Sequence, residues 1–133
     1  MDPKNEQLIA YPIEFRERSA YAKPFNGTEF GVVFEDDGET GYLYATNETA
    51  DKIYDALHLY NSKDPTRPSP GEKLFIVWNP ILEKAGLFYH DRLQAIVDFK
   101  NQIGCCRSGF PPKFGTWCRS LHEWNDELKK GLQ

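Results

Sequence analysis

Four carboxylates crowd one short stretch of the chain, Glu35, Asp36, Asp37 and Glu39. Clustered oxygens of this kind can serve a hard cation, bulk water or a cationic partner surface. A calcium loop needs ligands at alternating positions closed by a distant Glu, and that pattern is absent. The Asp37-Gly38 pair inside the cluster reads as the tip of a tight hairpin. Like charges at a reversal repel one another, so their concentration points to something outside the domain. A basic patch on a partner protein would supply it, with Glu35, Asp36, Asp37 and Glu39 as the expected contacts.

Cys118 and His122 stand four residues apart, one turn of a helix, and Cys105 and Cys106 offer two further zinc donors. Adjacent residues of a strand point to opposite faces, so Cys105 and Cys106 are poorly placed to share one ion, and no metal is expected. Read instead as nucleophile and base, Cys118 and His122 lack a glycine-rich oxyanion element and an orienting acid at an informative spacing. His58 and His90 are single histidines in structural segments. The common nucleotide, zinc-protease and hydrolase signatures do not occur. The expectation is a protein without catalytic residues or cofactor.

The elements that position these groups follow from periodicity and turn chemistry. Ile9, Tyr11, Ile13 and Phe15 alternate at period two, a half-buried strand that Pro12 confines to a sheet edge. Residues 29–35 and 42–45 are rich in aromatic and aliphatic side chains and flank the acidic tip, forming a hairpin. Ala50, Ile53, Leu57 and Tyr60 fall at spacings of three and four, which predicts a helix over residues 48–60 with Thr46 or Asn47 as cap. Pro65, Pro68 and Pro70 then impose a surface loop over 64–71. Apolar runs at 73–78, 85–90 and 94–99, separated by short breaks, predict an antiparallel meander, and 101–107 can add a strand. Trp117, Leu121, Trp124 and Leu128 lie at i, i+4, i+7 and i+11, predicting a closing helix near 116–130 with Thr116 as cap and Trp117, Leu121 and Trp124 in the core. The expected fold is therefore α+β, one antiparallel sheet covered by two helices.

A chain of 133 residues fits a single domain, taken here as 1–133. Its 16 basic and 20 acidic residues give a formal charge of -4, which offers no field to attract nucleic acid. No apolar run approaches membrane-spanning length and the first residues are polar, so a cytoplasmic protein with no membrane association is expected. Three cysteines, two of them adjacent, fit reduced thiols better than a disulfide framework. The expected assembly is a monomer or weak dimer.

The string Phe34-Glu35-Asp36-Asp37-Gly38-Glu39-Thr40-Gly41-Tyr42-Leu43-Tyr44-Ala45 resembles an uncharacterised bacterial family, domain of unknown function 2251. Ile53 to Asn61, Cys106 to Pro112, Trp117 and His122-Glu123-Trp124 carry the same likeness. The resemblance supplies no catalytic residue. It implies a context: an immunity protein of the kind encoded beside Rhs-type polymorphic toxins, binding its cognate toxin, an ADP-ribosyltransferase or a nuclease, and occluding the active site. A small-ligand or metal-binding regulator and an uncharacterised enzyme are the rival readings.

Overall fold

The computed structural model describes residues 8–112, 117 and 121–133. Nine strands follow one another: β1 (Ile9–Glu14), β2 (Ser19–Pro24), β3 (Phe30–Asp36), β4 (Thr40–Asn47), β5 (Lys52–Asn61), β6 (Lys73–Asn79), β7 (Lys84–Tyr89), β8 (Arg92–Asp98) and β9 (Ile103–Cys106). They form two antiparallel sheets, one of five strands ordered β1-β6-β7-β8-β9 and one of four ordered β2-β3-β4-β5.

The meander and the hairpin are where turn chemistry places them. His90 and Asp91 both take positive φ, 50° and 61°, the left-handed pair that a two-residue reversal between β7 and β8 requires. Gly38, at φ 95°, turns the β3-β4 hairpin. β1 lies at the edge of its sheet, so Pro12 removes no ladder bond from a central strand.

The two sheets enclose a shared core. Val32, Phe34, Leu43 and Leu57 of the four-stranded sheet join Leu74, Ile76, Leu87 and Val97 of the five-stranded sheet in one cluster. Phe25 stacks on Trp78 with ring centroids 4.0 Å apart, adding dispersion to burial. The opposite face of the five-stranded sheet carries Val77, Leu93, Ile96 and Cys105, which Leu128 and Leu132 of the C-terminal segment cover. β8 is consequently buried on both sides from Leu93 to Asp98.

The α+β expectation is overturned: among the described residues there is no α-helix, only a single 3-10 turn at Asp126–Lys129 capped by the Asn125 side chain. The predicted helix over 48–60 is a turn followed by β5. Its pairing with β4 skips Tyr54 between Asp55 and Ile53, and skips Leu59 between Tyr60 and His58. Two such bulges break period two and leave apolar residues at helix-like intervals. Thr116 and Cys118 of the predicted closing helix lie outside the described residues. The described residues on either side bond to strand edges: the Trp117 N–H donates to the Tyr54 carbonyl, and the His122 carbonyl accepts from the Cys106 N–H. This segment ties the edge of β5 to the edge of β9, satisfying backbone groups that a helix would leave bare.

Candidate functional site

The four carboxylates of the hairpin do not act as one cluster. Asp36 turns inward and is 1% exposed. Arg67, from the proline-rich loop, donates Nη2 to Asp36 Oδ1 at 3.1 Å and Nε to Oδ2 at 3.2 Å. The Tyr60 hydroxyl donates to Oδ2 at 2.7 Å, and the backbone N–H groups of Arg18 and Gly38 donate to Oδ1. Burial alone would raise the Asp36 pKa, but the bonds from Arg67, Tyr60, Arg18 and Gly38 outweigh it and hold the carboxyl below its ordinary value. Tyr60 reaches this position by lying flat over Gly41, where a Cβ would meet its ring at 2.2 Å, so only glycine fits there. Asp36 is thus a fold-holding residue, contrary to its expected place on the partner surface.

Asp37 and Glu39 remain exposed at the tip. Asp37 accepts from the Glu39 and Thr40 N–H groups, which lower its pKa and organise the turn. Glu35 points outward on β3, directly opposite Tyr42 of β4.

Glu35 stands beside an aromatic row that crosses the outer face of the four-stranded sheet. Leu43 and Ala45 point into the core, so Tyr42 and Tyr44 share the outer face, stacked with centroids 5.7 Å apart. His58 of β5 meets the Tyr42 ring edge-on at 5.4 Å, and Phe110, 53% exposed, meets His58 at 5.8 Å. The row is held from behind: the His58 N–H donates to the Phe110 carbonyl, and Ser108 Oγ donates to the His58 carbonyl. The Tyr44 hydroxyl donates to Glu35 Oε1 at 3.3 Å. Burial first, then the Glu35 charge, push the Tyr44 phenol up to about 12, so it stays a neutral donor. Past Tyr44 the face opens into a concavity of about 580 Å³ whose lining includes Val33, Ile53, Glu48 and Asp51. On the other flank, Ala20 and Ala22 of β2 oppose Glu35 and Val33 and keep the surface low.

The buried His122 has a different character. Its Nε2 lies 2.8 and 2.9 Å from the two carboxylate oxygens of Asp55, both side chains being 1% exposed, and its Nδ1 faces the Pro111 carbonyl. Both ring nitrogens face oxygen atoms of the fold, so neither is turned toward a nucleophile. The arrangement is a clasp between β5 and the C-terminal segment. Cys118, its expected companion, lies outside the described residues. Cys105 and Cys106 are free and buried, and burial pushes the Cys105 thiol up to about 11. No three His, Cys, Asp or Glu side chains converge on a metal-sized site among the described residues. His90 forms an exposed pair with Glu72 at 2.9 Å.

Of the predicted aromatic stripe, Trp117 is in the core at 4% exposure, whereas Leu121 is 49% exposed. Trp124 is half-buried beneath the Arg107 guanidinium, 3.4 Å above its ring. Spacing alone did not reveal the row of Tyr42, Tyr44, His58 and Phe110. Tyr42 and Tyr44 alternate with Leu43 and Ala45 in a legible way, but His58 and Phe110 join them only through the tertiary fold.

No helix of the described residues is long and apolar enough to cross a membrane. A protein of Haemophilus influenzae described as "Uncharacterized protein" is 37% identical over 84 residues, covering 62% of this chain and 52% of that protein. The chain therefore spans about half the length of this curated relative. No solved structure matches at a significant level. The family described as "Uncharacterized protein conserved in bacteria (DUF2251)" matches residues 15–133, nearly the whole two-sheet fold, and the chain belongs to that family.

Proposed function

We propose that this protein is a non-catalytic binder, an immunity protein that neutralises a cognate bacterial toxin in the cytosol by covering its active site. The toxin class proposed is an ADP-ribosyltransferase or a nuclease, either of which has a cationic cleft that carboxylates can match. The observation carrying this reading is the row Tyr44, Tyr42, His58 and Phe110 on one rigid sheet face beside Glu35. Phe110 is exposed and Tyr42, Tyr44 and His58 are half-buried, and aromatic rings at a preformed surface anchor protein interfaces because they bury large area at little entropic cost. Occlusion needs only such a surface.

The test is co-expression with the toxin domain encoded beside this gene. Restored growth, together with a stable complex of the two purified chains on size exclusion, is the expected result. Growth arrest despite full expression of the folded protein, with no complex formed, would overturn it.

A further inference from the structure

We infer that the outer face of the four-stranded sheet receives arginine side chains of a basic partner protein, the guanidinium groups lying on Tyr42 and Tyr44 and pairing with Glu35. This assignment rests on the reading of the protein as a binder and names the chemistry of what it binds.

Charge selects the occupant. The concavity beside Tyr44 is lined by Glu35, Glu48 and Asp51 against a single cation, Lys52. Asp37 and Glu39 extend the same sign along the hairpin. Among the described residues none of these carboxylates forms an ion pair, whereas Glu17, Asp36, Glu72 and Asp126 do. Among the described residues the face is therefore a surface on which carboxylates outnumber the one lining cation, Lys52.

Geometry then separates arginine from lysine. Tyr42 and Tyr44 present their rings as a pair only 12° from parallel, and the Glu35 carboxylate is held next to them by the Tyr44 hydroxyl. A planar guanidinium can stack on such a ring while its N–H fork reaches the carboxylate, and a compact ammonium cannot do both. The ring contact alone already occurs elsewhere in this protein, where Arg107 lies on Trp124 and donates to the Leu93 carbonyl. Ala20 and Ala22 leave the approach to Glu35 unobstructed.

The experiment uses the full isotope-labelled chain and two probes, a hexa-arginine and a hexa-lysine peptide amide, followed by backbone amide shifts. The arginine peptide should perturb Val33, Glu35, Tyr42, Tyr44 and Ile53 and bind roughly five-fold tighter than the lysine peptide. Glu35→Gln and Tyr42→Ser should each weaken it by roughly five-fold or more, while Glu127→Gln, at the distant C-terminal turn, should not. Equal affinity for both peptides, or perturbations spread evenly over Glu127 and Asp126, would overturn the assignment. Amide dispersion of each variant shows that it is folded, and Asp37→Asn provides a second charge-removing variant on the same face. A toxin that binds Glu35→Gln and Tyr42→Ser as tightly as the parent would sink this inference and leave the immunity reading standing. An arginine-selective face on a protein that rescues no toxin would do the reverse.

Discussion

The Arg67 guanidinium straddles the Asp36 carboxylate, one nitrogen on each oxygen at 3.1 and 3.2 Å, joining the proline-rich loop to the end of β3. With the Tyr60 hydroxyl and two backbone donors on the same carboxylate, every acceptor direction is occupied. Asp36→Ala should therefore cost about 3 kcal/mol, because it leaves the Tyr60 hydroxyl without its acceptor and Arg67 with only the looser 3.7 Å pair to Glu17. Urea unfolding at neutral pH measures it, and a loss within error of zero would place the pair among ordinary surface contacts.

The same pair sets a pH dependence. The folded Asp36 pKa lies below its ordinary value of 3.8, so the unfolded chain takes up a proton first as pH falls. The stabilisation is whole above about pH 5, declines as pH drops, and is gone once pH passes below the folded value. The parent should lose more stability between pH 6 and pH 3 than Asp36→Asn does, and identical slopes would contradict the assignment.

Charge removal at the exposed tip should behave differently. Asp37→Asn keeps an acceptor for the Glu39 and Thr40 N–H groups, and Glu39 is exposed. The double variant Asp37→Asn/Glu39→Gln should melt within a few degrees of the parent. A melting temperature lowered as far as that of Asp36→Ala would show the tip to be structural.

The His122 and Asp55 clasp should be strongly coupled. Asp55→Ala and His122→Ala should each cost about 3 to 5 kcal/mol, since each strands a buried polar or charged partner. The double variant should cost clearly less than their sum, because the second truncation removes the group the first had stranded. Simple additivity in a double-mutant cycle would mean that the two side chains do not act together.

The two described tryptophans of the C-terminal segment should differ. Trp117→Ala opens the core between the sheets and should cost about 3 to 5 kcal/mol. Trp124 loses a half-exposed ring and its contact with Arg107, about 1 to 2 kcal/mol. Thermal unfolding of both variants checks the order, and an equal loss would move Trp124 into the core.

Much of the fold was legible without coordinates because it is local. The Asp37-Gly38 reversal, the edge strand carrying Pro12, the loop over residues 64–71 and the antiparallel meander each follow from a few neighbouring residues and their backbone preferences. The family likeness was also legible, carried by the hairpin string and by the segments at 53–61 and 106–112. Periodicity failed at β5 and at the C-terminal segment for a physical reason. Bulges at Tyr54 and Leu59 reset the inward register of β5, and Asp55, Ala56 and Leu57 are all buried because chain covers both faces. A strand buried on two faces has no period of its own to read.

Residue types by themselves determined that this protein would build antiparallel hairpins and carry a concentrated negative charge at one of them. Which of those carboxylates stay exposed was decided only in three dimensions. Asp36 lies next to Glu35 and Asp37 in the chain, yet alternation along β3 sends it inward to an arginine 31 residues away. The aromatic row likewise draws Phe110 to His58 across 52 residues, and Tyr42 to His58 across the β4-β5 pairing. Contacts of that range depend on how the two sheets and the C-terminal segment close on one another, which no local pattern of side chains encodes.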